Sequence, residues 1–130
     1  MRETSPRIAA WLAALTLSLS FEAAVASNTK LPDPPTRGTA SWYGAECAGK
    51  AMANGKPFDP AALTCASWFY PLGTKLEVRC GNRSVIVECS DRGPARRLVA
   101  KGRIIDLSRA AFEQLGDIRN GILQVNIKTK

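Results

Sequence analysis

Asp91 closes the run Ser84-Val85-Ile86-Val87-Glu88-Cys89-Ser90 and opens the tetrapeptide Asp91-Arg92-Gly93-Pro94. A carboxylate at the end of an apolar strand is a candidate general acid or base. Partial removal from water raises a carboxyl pKa toward the neutral range, where proton transfer is most useful. Regular alternation puts Val85, Val87, Cys89 and Asp91 on one face, with the carboxylate at the rim of a core. The structural alternative is an Asx-type turn broken by Gly93 and Pro94. Asp59 and Glu46 are reserve carboxylates, read first as a turn residue and a surface charge. The chain has no histidine, which excludes Ser-His-Asp and Cys-His nucleophiles. Zinc is disfavoured too, because no cysteine pair has ligand spacing. No Gly-rich phosphate loop is present. Carboxylates, hydroxyls, lysines and aromatics remain, and no metal or cofactor is expected.

Four cysteines, Cys47, Cys65, Cys80 and Cys89, are an even number and suit two disulfides in an oxidising compartment. Of the three possible pairings, one with Cys47 bonded to Cys65 is preferred, because a Cys80 to Cys89 bridge would need a bend in a hairpin. The net charge is +7. Basic residues crowd around the Asp91 segment as Arg92, Arg96, Arg97, Lys101, Arg103 and Arg109. Such a cluster either binds a polyanion or keeps a loop solvated. Trp42 and Tyr43 either stack on sugar faces or belong to the core. In Trp68-Phe69-Tyr70 the rings cannot all point inward, and Trp68 is expected to be partly exposed.

These residues need a scaffold that brings distant segments together. Residues 1–26 read as a secretory signal: Arg2 and Arg7 stand at its start, 8–21 is the apolar stretch, and Ala24-Val25-Ala26 forms the cleavage site. That stretch is shorter than the roughly 20 residues that span a bilayer, and no cysteine near the cleavage site supports a lipid anchor. The expected product is exported, to a periplasm or beyond the cell, and monomeric. Residues 27–37 are a proline-rich linker, and 38–130 form one domain. Short strands are predicted at 39–43, 63–67, 75–80, 84–90, 103–106 and 122–128. One clear helix is predicted, N-capped by Ser108, buried through Phe112 and Leu115 and ended by Gly116. Short strands punctuated by glycines predict a mainly β fold, a small closed barrel with one or two short helices.

Six segments in order carry a resemblance. They are Gly38-Thr39-Ala40-Ser41-Trp42-Tyr43-Gly44, Ala53-Asn54-Gly55, Leu63-Thr64-Cys65-Ala66, Pro71-Leu72-Gly73-Thr74, Asp91-Arg92-Gly93-Pro94, and Gly102-Arg103-Ile104-Ile105-Asp106-Leu107-Ser108. Together they resemble the rare lipoprotein A (RlpA) family. The resemblance implies a six-stranded double-psi β-barrel, shared with expansins and barwin-like proteins. It also implies endolytic transglycosylase activity on peptidoglycan strands stripped of stem peptides, ending them in 1,6-anhydromuramic acid. Where active members have Glu and His, this chain has Lys56 and Ser67, so Asp91 alone carries over as catalytic. A separate C-terminal glycan-binding domain, found in many members, is not expected.

A lytic transglycosylase uses the muramic acid's own C6 hydroxyl as nucleophile, so a single carboxylate can give one proton and take another. Asp91 is assigned that role, with Ser67 donating to substrate. Trp42, Tyr43, Trp68, Arg92, Arg96, Arg97 and Arg103 are assigned to substrate binding. The partner is the glycan strand, with no nucleic acid and no transmembrane span. The alternatives are a noncatalytic expansin-like glycan-binding or wall-loosening module, and a disulfide-stapled effector that binds a protein.

Overall fold

The computed structural model describes residues 33–130, and the predicted signal sequence and most of the predicted linker lie outside the described residues. Six strands form: β1 (Arg37–Tyr43), β2 (Thr64–Ala66), β3 (Lys75–Cys80), β4 (Arg83–Asp91), β5 (Arg103–Ser108) and β6 (Leu123–Thr129). They close into a barrel in the order β1-β5-β2-β4-β3-β6. Pairs β1/β5 and β2/β4 are parallel and the other four are antiparallel. This is the mainly β, double-psi barrel predicted from the sequence. Its two helices are α1 (Arg96–Val99) and α2 (Arg109–Leu115).

The alternation of 75–80 sets the local fold. Leu76 and Val78 point inward and pair with Val87 and Val85 across the β3/β4 hairpin. That hairpin turns on Gly81, whose φ of 60° suits the first position of a two-residue turn. Val125 and Ile127 on β6 and Ile105 and Leu107 on β5 complete the barrel interior. α2 starts where expected: the Ser108 hydroxyl accepts from Ala111 N–H. Its apolar stripe, Ala111, Phe112 and Leu115, is buried and packs on β4 and β5.

Two sequence expectations change. The predicted linker runs too far, since Arg37 already belongs to β1. Before it, the Thr36 carbonyl accepts from Ile127 N–H at 2.8 Å. The second change concerns Asp91. Cys89 pairs with Cys65 and Asp91 with Ala66, so Ser90 is an extra residue in β4. A bulge of this kind shifts the phase of alternation by one. Asp91 therefore leaves the face of Val85, Val87 and Cys89 and lines up with Ala66 on the other side of the sheet.

Candidate active site

The bulge creates a row across four strands. Ala66 on β2 is the register partner of Asp91 on one side and of Asp106 on the other, and Asp106 is in turn opposite Ser41 on β1. Adjacent strands lie about 4.8 Å apart, so the two aspartate Cα atoms are two strand spacings, about 10 Å, from each other. The residue between them, Ala66, is small and buried. Gly93 passes over this point: a Cβ there would lie 3.3 Å from Ala66 Cβ and 3.4 Å from Asp106 Oδ2. A side chain at this position would thus press tightly on Ala66.

The two carboxyls have different environments. Asp91 Oδ1 accepts from the backbone N–H groups of Ala53 (2.9 Å) and Arg92 (2.8 Å), which fixes its orientation. The first donor comes from the Ala53-Asn54-Gly55 segment, held to β4 by Asn54 N–H on the Ser90 carbonyl. Asp106 sits deeper. Burial pushes its pKa above the usual carboxylate range, while a hydrogen bond from Ser41 Oγ and the Arg103 charge act the other way. Tyr43, two residues after Ser41, stacks its ring on Phe58 at 4.3 Å. Its hydroxyl is buried without a hydrogen-bond partner. Burial, followed by the charge of Asp91 and, less strongly, that of Asp106, pushes the phenol's pKa up, while the neighbouring Thr64 hydroxyl acts the other way. A phenol that keeps its proton beside two carboxyls is a ready hydrogen-bond donor.

The predicted site residues fall into three groups. Asp91 belongs to the row, and Tyr43 lies two positions along β1 from it, opposite Ser108, its phenol within electrostatic reach of both carboxyls and its ring stacked on Phe58. Trp68 and Arg96 pack together next to Pro94, and Arg97 is exposed on α1. Trp68 is 37% exposed, its Nε1 donates to the Pro94 carbonyl at 2.6 Å, and the Arg96 guanidinium lies 4.1 Å from its ring centre. With Phe69, Val99 and Ala100 these two line a cleft of about 270 Å3. Arg103 begins β5, within electrostatic reach of Asp106.

Three expectations are corrected. Ser67 is fully buried and its hydroxyl accepts from Phe69 N–H at 3.1 Å, so it shapes the turn after β2 and presents nothing to a substrate. Arg92 turns inward, where Nη1 donates to the Ser67 (2.8 Å) and Tyr70 (2.6 Å) carbonyls. Trp42 belongs to the core periphery: its Nε1 donates to the Ile118 carbonyl and its ring leans on Phe112 at 6.4 Å. Asp59 and Glu46 stay in local roles, accepting from Ala61 and Gly44 N–H respectively. Lys56, where the RlpA pattern has Glu, is exposed in the turn that carries Ala53. All four cysteines are free thiols, and Cys65 faces Cys89 rather than Cys47. Among the described residues no group of three or more His, Cys, Asp or Glu could hold a metal ion.

Asp106 and Ser41 were missed by sequence reasoning, although both lie in segments that carried the family resemblance. The signal was a carboxylate within Ile104-Ile105-Asp106-Leu107, where an acidic residue is tolerated only with a partner.

Comparison with known proteins identifies the family and the fold. Residues 36–127 match the family model described as lytic transglycolase. The chain is 42% identical over 94 residues to the probable endolytic peptidoglycan transglycosylase RlpA of Aquifex aeolicus, covering 71% of this chain and 40% of that protein. It is 40% identical over 93 residues to endolytic peptidoglycan transglycosylase RlpA of Pseudomonas aeruginosa, covering 70% of this chain and 26% of that one. The match thus spans less than half the length of these relatives. Among solved structures, the expansin of Clavibacter michiganensis superposes with a TM-score of 0.57 at 27% identity, over 73% of this chain and 50% of that one. A Streptomyces papain inhibitor shares the fold, with a TM-score of 0.55 at 24% identity, over 73% of this chain and 98% of that one. With most of the barrel covered by the family model and identities near two in five to named RlpA proteins, the chain belongs to the lytic transglycolase family.

Proposed function

We propose that this protein is an exported endolytic transglycosylase that cleaves stem-free peptidoglycan strands, with Asp106 as general acid and Asp91 as general base. The observation that carries the reading is the placement of two half-buried carboxyls on either side of Ala66, one oriented by two backbone N–H groups. Environments that separate the behaviour of two carboxyls divide acid from base work. Asp106, whose burial favours the protonated form, gives its proton to the glycosidic oxygen. Asp91 takes the proton of the muramoyl C6 hydroxyl, whose oxygen closes on C1 as the bond to the leaving sugar breaks. No water enters the product, and solvent exchange restores the two protonation states. The tethered nucleophile supplies the proximity that a hydrolase must obtain by positioning water. This pairing extends the single-carboxylate scheme, in which Asp91 served both steps.

Recognition of stem-free strands fits the basic side of the site. A stripped muramic acid exposes its lactyl carboxylate, whereas a stem peptide consumes it in an amide. The Arg96 guanidinium stacked on Trp68 retains N–H edges that suit a planar carboxylate, and the indole gives the cleft an apolar wall.

The expansin likeness, with Lys56 and Ser67 replacing the expected Glu and His, favours a second reading: a groove that binds glycan and does not cut it. Digestion of purified stem-free glycan, read by mass, separates the two. Chain ends one water lighter than hydrolysis products are expected of the transglycosylase. Bound but intact strands would leave the binding module.

A further inference from the structure

Cys65 on β2 and Cys89 on β4 are direct register partners across a parallel strand pair, immediately before the bulge that sets Asp91 opposite Ala66. Both are wholly buried. Neighbouring strands about 4.8 Å apart fall within the roughly 4.4 to 6.8 Å between Cα atoms that a disulfide spans. As register partners on adjacent strands the two residues already stand side by side, so no element must move far to bring the sulfurs together. Arg92 Nη1 stands 4.0 Å from Cys89 Sγ, with its charge directed at one sulfur of the pair.

We propose that Cys65 and Cys89 form an intramolecular disulfide that staples β2 to β4 directly behind the Asp91, Ala66 and Asp106 row. The oxidant is an external disulfide of the kind that operates in oxidising compartments. Cys89 as thiolate attacks one sulfur of that disulfide and expels the other as a thiolate. The Cys65 thiol then gives up its proton to solvent, and its sulfur attacks Cys89 Sγ and expels the second thiolate. Two protein thiols are oxidised and one external disulfide is reduced to two thiols. The asymmetry of the pair suits this order of attack: contact with Cys65 and the Arg92 charge bring the Cys89 thiol down to about 7, while Cys65 is pushed up. The exchange belongs to folding, because the closed barrel buries both sulfurs. Once formed, the same burial shields the bond from reductants.

This pairing replaces the Cys47 to Cys65 connection expected from sequence and leaves Cys47 and Cys80, both half-buried, outside the staple. It is independent of whether the site cuts glycan. The test is to refold the full chain in oxidised glutathione, digest without reduction and map the linked peptides by mass. A peptide containing Cys65 joined to one containing Cys89 is expected. Denatured C47S/C80S protein refolded in the same way should lose both remaining alkylatable thiols, and mild reductant should restore them only after unfolding. Linkage of Cys65 to Cys47 or Cys80, or two alkylatable thiols in the refolded C47S/C80S protein, would overturn the proposal.

Discussion

At the scale of single residues, Asp106 makes the sharpest claim. Its folded pKa is raised by burial, so the native state binds this proton more tightly than the unfolded chain does. The contribution to stability is present at pH below the ordinary carboxylate range and is lost as pH rises through the raised folded value. Thermal midpoints of Asp106→Asn measured across that window should lack this fall relative to wild type. In the proposed reaction the rate should decline as pH climbs past the Asp106 value, since the acid is then ionised. Tyr43 gives a different split. Its hydroxyl is buried and unpartnered, and such a group costs about 1–3 kcal/mol. Tyr43→Phe should therefore leave the urea midpoint equal to or above wild type while lowering turnover, because the donor beside the carboxyls is gone. Loss of stability with unchanged turnover would assign the hydroxyl to packing.

At the scale of elements, Ser108 joins β5 to α2. Its hydroxyl accepts from Ala111 N–H as N-cap and donates to the Ala62 carbonyl at 2.6 Å. It also accepts from Thr64 N–H at 3.5 Å; Ser108→Ala removes all three bonds, and loss of an N-cap alone costs about 1 kcal/mol. Chemical denaturation should show at least that loss. The helix, its cap and the 75–80 strand were legible because each rests on local pattern: a capping serine, a buried 112/115 stripe and faultless alternation. The row was not. A one-residue bulge at Ser90 has no mark in the sequence that distinguishes it from regular alternation, so Asp91 was assigned to the inward face. Asp106 was hidden for a related reason, since its partners Ser41 and Ala66 lie on strands far away in sequence and meet it only through barrel closure. Arg92, Ser67 and Trp42 show the converse error. Their types suit a binding surface, but unfilled carbonyls at Tyr70 and Ile118, the turn at Phe69 and the side of Phe112 claim them first.

At the scale of the whole molecule, a net charge of +7 suits the proposed substrate, on which stem removal uncovers lactyl carboxylates along the strand. Exposed charges are screened over about 8 Å at physiological ionic strength and about 3 Å at 1 M, so binding to stem-free glycan should weaken with salt. Replacing Arg96 and Arg97 by Gln should lower both the affinity and its salt dependence, measured by Trp68 fluorescence titration or glycan pull-down. Equal binding of stemmed and stripped strands would shift recognition to neutral contacts. Among the described residues no helix is long and apolar enough to cross a membrane, and the barrel closes through all six strands. The site therefore depends on the closed sheet, which places Asp91 and Asp106 on either side of one alanine. The most direct test of that claim digests stem-free glycan with wild type, Asp91→Asn and Asp106→Asn in parallel and counts 1,6-anhydro ends by mass. Proton transfer by a placed group contributes about 100- to 10,000-fold, so each variant should lose at least about 100-fold in product while retaining glycan pull-down. Wild-type yields of anhydro ends from either variant would contradict the account.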